Sequence, residues 1–288
     1  MRFKLCRADE GWLSAKHVKS EDVCQAASAV LERAQEITSA RPTGETAAFP
    51  ETKKRRRFSS LVSLGETKVF LKLYLFPRLR DRLLLHLGIT KAGKAYAASL
   101  RLHGLGILCP HHIAILRSNN PLALVLASEA LPEGTTLGRR IMESLREGQE
   151  SSSSRDWQTL IDQLAAFVAG LHQQGIYHDD LHHSNLWVKA ASGGKLEFYI
   201  LDLEEISFCS TISRRRRLFN LLHLTRNLGA AAAGAELDGV ALGLRWARAY
   251  QQAAGIELFA EDLVKVEAAA RLGMKLWRED AAQANPLH

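Results

Sequence analysis

The chain has 288 residues, 47% hydrophobic and 24% charged, with a formal net charge of +7. This is the length and composition of a folded globular protein with a sizeable core, in one large domain or two lobes. The longest apolar run, LALVLA at 122–127, is too short to cross a bilayer, and MRFKLCRADEGW at the start has no signal-peptide character. Four scattered cysteines without a C-x-x-C pair argue against a disulfide framework or a cysteine-rich zinc site. A cytoplasmic protein is expected. The positive charge gathers in KKRRR (53–57), RLRDR (78–82) and RRRR (214–217), which would attract polyanions.

In chain order, DVCQAASAVLERAQEI (22–37) has apolar residues at helical spacing, and TSARPTGETAAFPETKK (38–54) reads as a loop. FSSLVSLGETKVFLKLYLF is a hairpin turning at Gly65-Glu66-Thr67, with Lys72 on its second strand. KAGKAYAASLRLHGLG (91–106) is a helix stopped by Gly104 and Gly106, followed by a strand pair around Asn119-Asn120-Pro121. A serine tract then opens a helix over 151–175, whose apolar stripe is Leu160, Leu164, Phe167, Val168 and Leu171. NLWVKAASGGKLEFYILDLEE is a further hairpin, turning at Gly193-Gly194, and helices fill the rest to about Trp277.

Between the long helix and the last hairpin lies GIYHDDLHHSNLWVK (175–189), with three histidines and two aspartates in six positions. Zinc would need His178 and His182 on one helical face with a glutamate between them. Gly175 has already ended the helix, and NLWV beyond is β-forming, so that context is missing. A phosphoryl-transfer centre fits element by element: a long helix, a loop H-x-D-L-x-x-x-N, a hairpin and an apolar strand ending in Asp202. VFLK upstream resembles V-A-I-K and puts Lys72 in its expected place. The dense negative charge of ATP calls for Mg²⁺, which carboxylate and amide oxygens suit. Asp202 and Asn185 would take the metal, Lys72 the α/β-phosphates, and Asp180 the proton of an attacking hydroxyl.

The chain resembles the bacterial lipopolysaccharide core kinases, which phosphorylate heptose or Kdo sugars on a protein-kinase-like fold. The resemblance rests on VFLKLY, LRLHGLGILCP, LVLASEALPEGTTL, GIYHDDLHHSNLWV, FYILDLEEISF and RRRRLFNLLHL. It implies an α+β, bilobal protein-kinase-like fold, with a small antiparallel β-sheet N-lobe carrying one main helix and a mostly helical C-lobe. The N-lobe would be residues 1–128, of which 1–50 form an extension of uncertain structure, and the C-lobe 129–288. Glu129 to Leu131 would be the hinge that offers backbone groups to adenine. The resemblance further implies ATP and Mg²⁺ as cofactors, and an inner-core sugar, or its lipid-linked precursor, as acceptor. Basic clusters would hold the protein at the inner face of the membrane, about 1 kcal/mol per residue. The Arg214–Arg217 run opens a helix, where its charge opposes the dipole, so an outside anion is expected to offset it. No nucleic-acid motif is present.

Three departures matter. The helix position that carries a lysine-pairing glutamate in similar kinases is Ala95; Asn220 stands where relatives often have aspartate; and no glycine-rich phosphate loop precedes Lys72. They support an alternative in which a degenerate kinase-like protein binds nucleotide or glycan without catalysis. Another alternative is a small-molecule kinase with a different acceptor, although the positive net charge disfavours a cationic one.

Overall fold

The structure is a computed structural model and describes residues 3–39, 57–76, 83, 85, 89–150 and 155–284. The basic clusters at 53–57 and 78–82 fall outside the described residues apart from the backbone of Arg57, as do Asp81 and the serine tract 151–154. The chain divides into two compact units, Met1–Leu131 and Pro132–His288.

The first unit is built on a five-stranded antiparallel sheet in the order β1-β4-β5-β3-β2. Its strands are β1 (Lys4–Ala8), β2 (Arg57–Leu64), β3 (Thr67–Leu75), β4 (His112–Asn119) and β5 (Leu122–Glu129). The β2–β3 hairpin turns at Gly65, whose φ of 62° suits glycine. Alternation along β3 sends Val69, Leu71 and Leu73 into a core shared with Val23, Ala27 and Leu31 of α2 (Ser20–Ser39). Lys72 is on the other face, opposite Leu126 of β5. Helix α3 (Lys91–Gly104) starts under the cap of Thr90, whose hydroxyl accepts from the Gly93 N–H at 2.9 Å. Its small residues Ala92, Ala95, Ala98 and Ser99 are buried.

Residues 3–39, within the stretch expected as an extension of uncertain structure, are folded into the first unit. β1 pairs with β4, α1 (Glu10–Ala15) follows it, and Phe3, Leu13 and Val18 join the α2 core. They complete the sheet's edge and cover one of its faces.

The second unit runs β6 (Thr135–Thr136), α4 (Leu137–Glu150), α5 (Arg155–Gln173), β7 (Ile176–His178), β8 (Leu186–Ala190), β9 (Leu196–Ile200) and β10 (Ile206–Phe208). Helices α6 (Arg214–Gly234), α7 (Gly239–Ala254) and α8 (Ala260–Ala284) follow. β6-β8-β9 and β10-β7 form two small antiparallel sheets. Gly175 ends α5 at φ 71° and lies against the Cys209 carbonyl, so a side chain there would meet backbone. Glycines also let the terminal helices touch: a Cβ at Gly229 would strike the Ala270 carbonyl, and one at Gly273 the Arg226 carbonyl. Trp246 and Tyr250 of α7 are fully buried. Among the described residues no helix is long and apolar enough to cross a membrane.

Candidate active site

In the second unit the loop after β7 is fixed by its own backbone. The Asp179 N–H donates to the Glu205 carbonyl at 2.9 Å, while Ile206 of β10 pairs with His178. His178 is buried, with Nε2 2.9 Å from the Leu201 carbonyl and Nδ1 3.1 Å from the Asp180 N–H. A carbonyl only accepts, so Nε2 carries the proton and Nδ1 accepts. Burial, the largest cause, lowers the pKa of this ring and keeps it neutral. Both nitrogens are thus occupied in orienting the loop, and His178 sits on a strand rather than on a helix with His182. The pair is unsuited to zinc.

Asn185 closes the loop. Its Nδ2 donates to the Asp180 carbonyl at 2.9 Å, its N–H donates to the His182 carbonyl at 2.9 Å, and its carbonyl accepts from the Leu201 N–H at 2.9 Å. The last bond ties Asn185 to the strand end that delivers Asp202. Asp202 has φ 50° and ψ 52°, a left-handed conformation that costs a non-glycine residue about 1–3 kcal/mol and concentrates at functional sites. With the amide nitrogen committed, Oδ1 of Asn185 is the atom able to face a cation. An amide oxygen and the Asp202 carboxylate form a donor set that fits Mg²⁺. The structure therefore brings Asp180 and Asn185 together and fastens Asp202 to them through Leu201.

Sequence reading missed what lies behind the loop. Asn220 of α6 is fully buried, with Nδ2 donating to the His178 carbonyl at 2.9 Å and Oδ1 3.1 Å from Nε2 of His172. His172 Nδ1 lies 2.6 Å from the Tyr250 hydroxyl. Nε2 of His172 must donate to the amide oxygen, so Nδ1 accepts from tyrosine. Burial, the leading cause, lowers the His172 pKa to about 4, which keeps that tautomer neutral. Three helices, α5, α6 and α7, thereby converge on one carbonyl. No motif announces this, because the partners are 48 and 78 residues from His172.

The run Arg214–Arg217 is largely used within the chain, which revises the expectation of an outside anion. Arg214 pairs with the buried Asp262 and lies over the Phe259 ring at 4.2 Å. Arg216 lies over Tyr177 at 4.8 Å, and Arg217 Nε donates to the Ile212 carbonyl at 3.1 Å. Ser213 caps this helix.

In the first unit Lys72 is half-buried on β3, and Ala95, where a pairing glutamate is expected, is buried on α3. One turn on, Ser99 Oγ accepts from the His112 N–H at 3.3 Å; His112 Nδ1 lies 2.7 Å from Ser128 Oγ. Burial first, and then the Lys72 charge, lowers the His112 pKa to about 3. At the end of β5, the Glu129 N–H donates to the His111 carbonyl at 2.8 Å and the Ala130 N–H to the Lys68 carbonyl at 3.0 Å. The Glu129 carboxylate receives the Trp12 Nε1–H at 3.2 Å and lies 3.7 Å from Lys16 Nζ.

A family model described as lipopolysaccharide kinase (Kdo/WaaP) matches residues 42–239. Among solved structures the chain is similar to WaaP in complex with acyl carrier protein, with a TM-score of 0.50. That likeness has 16% identity over 79% of this chain and 86% of that one. It is also similar to a glucosamine kinase, at a TM-score of 0.43 and 13% identity over 79% and 76% of the two chains. For the bifunctional kinase-methyltransferase WbdD the TM-score is 0.43, with 14% identity over 78% and 50%. A search of curated protein sequences found no match. The likeness to WaaP identifies the fold as kinase-like, as expected.

Proposed function

This chain belongs to the lipopolysaccharide kinase (Kdo/WaaP) family, and on that premise we propose that it transfers the γ-phosphoryl group of ATP to a hydroxyl of a heptose or Kdo sugar of the lipopolysaccharide inner core. The observation that carries this reading is the knitted loop, in which Asn185 bonds the Asp180 carbonyl and accepts from Leu201 beside Asp202. Asp180 accepts the acceptor hydroxyl's proton and aims its oxygen at the phosphorus. Asn185 and Asp202 would hold Mg²⁺, which when bound neutralises charge on the triphosphate. Lys72 holds the α/β-phosphates, while the Glu129 carbonyl and Leu131 N–H take adenine. With a lipid-linked acceptor, the basic clusters outside the described residues supply the attraction to an anionic inner leaflet.

The test is purified protein with Mg-ATP and isolated core oligosaccharide. Phosphate should appear on the glycan, and Asp180→Asn should lower kcat by about 10²–10⁴-fold with an unchanged circular dichroism spectrum. Unchanged turnover in that variant defeats the role given to Asp180. Buried Ala95 favours a second reading, a nucleotide-binding protein without transfer. That reading predicts Mg-nucleotide-dependent thermal stabilisation without ADP release.

A further inference from the structure

Resting on the reading of Asp180 as the residue that meets the acceptor hydroxyl, we propose that Phe219, His223 and Arg226 of α6 bind the acceptor sugar through an anionic substituent it carries, a carboxylate or a phosphate.

The geometry links this helix face to the catalytic loop. His182 Nδ1 accepts from the Ser184 N–H at 3.1 Å, and its Nε2 lies 3.1 Å from Asn185 Nδ2 and 3.5 Å from the Asp180 carboxylate. The His182 ring meets His223 at a centroid distance of 6.0 Å, and His223 meets Phe219 at 5.7 Å. The His183 N–H donates to Asn227 Oδ1 at 3.1 Å, so this turn of α6 is fastened to the loop. From behind, Gly273 of α8 packs on the Arg226 carbonyl.

The electrostatics favour a negative ligand. Arg226 is half-buried, and its Nη2 donates at 2.9 Å to Nε2 of His223, a neutral partner. Among the described residues no carboxylate lies within ion-pair distance of its guanidinium, whereas Arg139, Arg214 and Arg245 each have one. Because His223 Nε2 accepts, its proton is on Nδ1, which is buried without a partner. Burial, followed by the Arg226 charge, lowers the pKa of this ring and keeps it neutral. An anionic acceptor approaching Asp180 would be repelled by that carboxylate, and a neighbouring guanidinium offsets the repulsion. Its planar fork matches carboxylate or phosphate oxygens in pairs. Phe219, half exposed one turn earlier, offers a flat apolar face to the C–H side of a sugar ring.

Three probes test this on the full chain: methyl glycosides of a heptose, of the same heptose bearing a phosphate, and of Kdo, which carries a carboxylate. Calorimetric binding without nucleotide reads the subsite alone. Charged probes should bind about ten- to hundredfold more tightly than the neutral one. Arg226→Met should abolish that difference, Arg226→Lys should restore part of it, and Phe219→Ala should weaken all three probes. Phosphate preference or carboxylate preference tells which substituent the site takes. Equal binding of neutral and charged probes, or selectivity unchanged in Arg226→Met, overturns the proposal. With Mg-ATP added, selective binding without transfer to any probe leaves the subsite standing and refutes the kinase reading instead.

Discussion

At position 220 a neutral amide makes two bonds that an ionised carboxylate could not make together, donating to the His178 carbonyl and accepting from His172. Asn220→Leu leaves both partners buried and unpaired, each at a cost of about 1–3 kcal/mol. Urea denaturation should show that loss, and kcat should fall with the loosened loop while KM for ATP holds. An unaltered midpoint would mean that the amide is not the strut described here. At this scale the sequence was informative wherever chemistry is local. The H-x-D-L-x-x-x-N spacing named Asp180 and Asn185, and the strand end named Asp202. Asn220 appeared only as a departure, and His172 and Tyr250 not at all, because burial contacts across helices leave no spacing to read.

Helices α6 and α8 approach closely because glycine faces backbone at both contact points, Gly229 on Ala270 and Gly273 on Arg226. Gly273→Ala pushes a methyl group against a main-chain carbonyl, so overpacking should cost about 1–3 kcal/mol. Since that carbonyl belongs to Arg226, KM for a charged acceptor should rise while KM for ATP stays constant. A thermal melt and a two-substrate kinetic series check both. Elements with strong periodicity were legible: the β2–β3 hairpin, α3, the β4–β5 pair and the apolar stripe of α5. β1 was not, because KLCRA is short, polar and largely exposed, and its pairing with β4 spans about a hundred residues. α4 was hidden for a similar reason: LGRRIMESLREGQE is mostly polar, with Leu137, Ile141 and Leu145 buried on one face. The basic run of α6 read as an outward patch, yet its partners, Asp262, Phe259 and Tyr177, lie far along the chain or on another element.

Across the whole molecule, several histidines are held neutral by burial. His172 is lowered to about 4 and His112 to about 3, from an ordinary 6.5, and His178 is lowered as well. On unfolding these rings take up protons at any pH between the folded and unfolded values. Stability is therefore greatest above about pH 6.5 and falls as pH drops toward about 4. The melting temperature should decline over that interval, and His172→Gln, which can still donate to Asn220, should flatten the decline. A pH-independent melt would contradict the buried, neutral assignment. The amino end has a further consequence at this scale. Asp9 bonds His111 at 2.9 Å, Trp12 and Lys16 hold Glu129, and β1 covers the flank of β4. Cutting away the first sixteen residues would strip that flank bare, turning a covered rim into an adhesive seam. It would also release the carboxylate beside the proposed adenine contacts, so nucleotide affinity and self-association should change together.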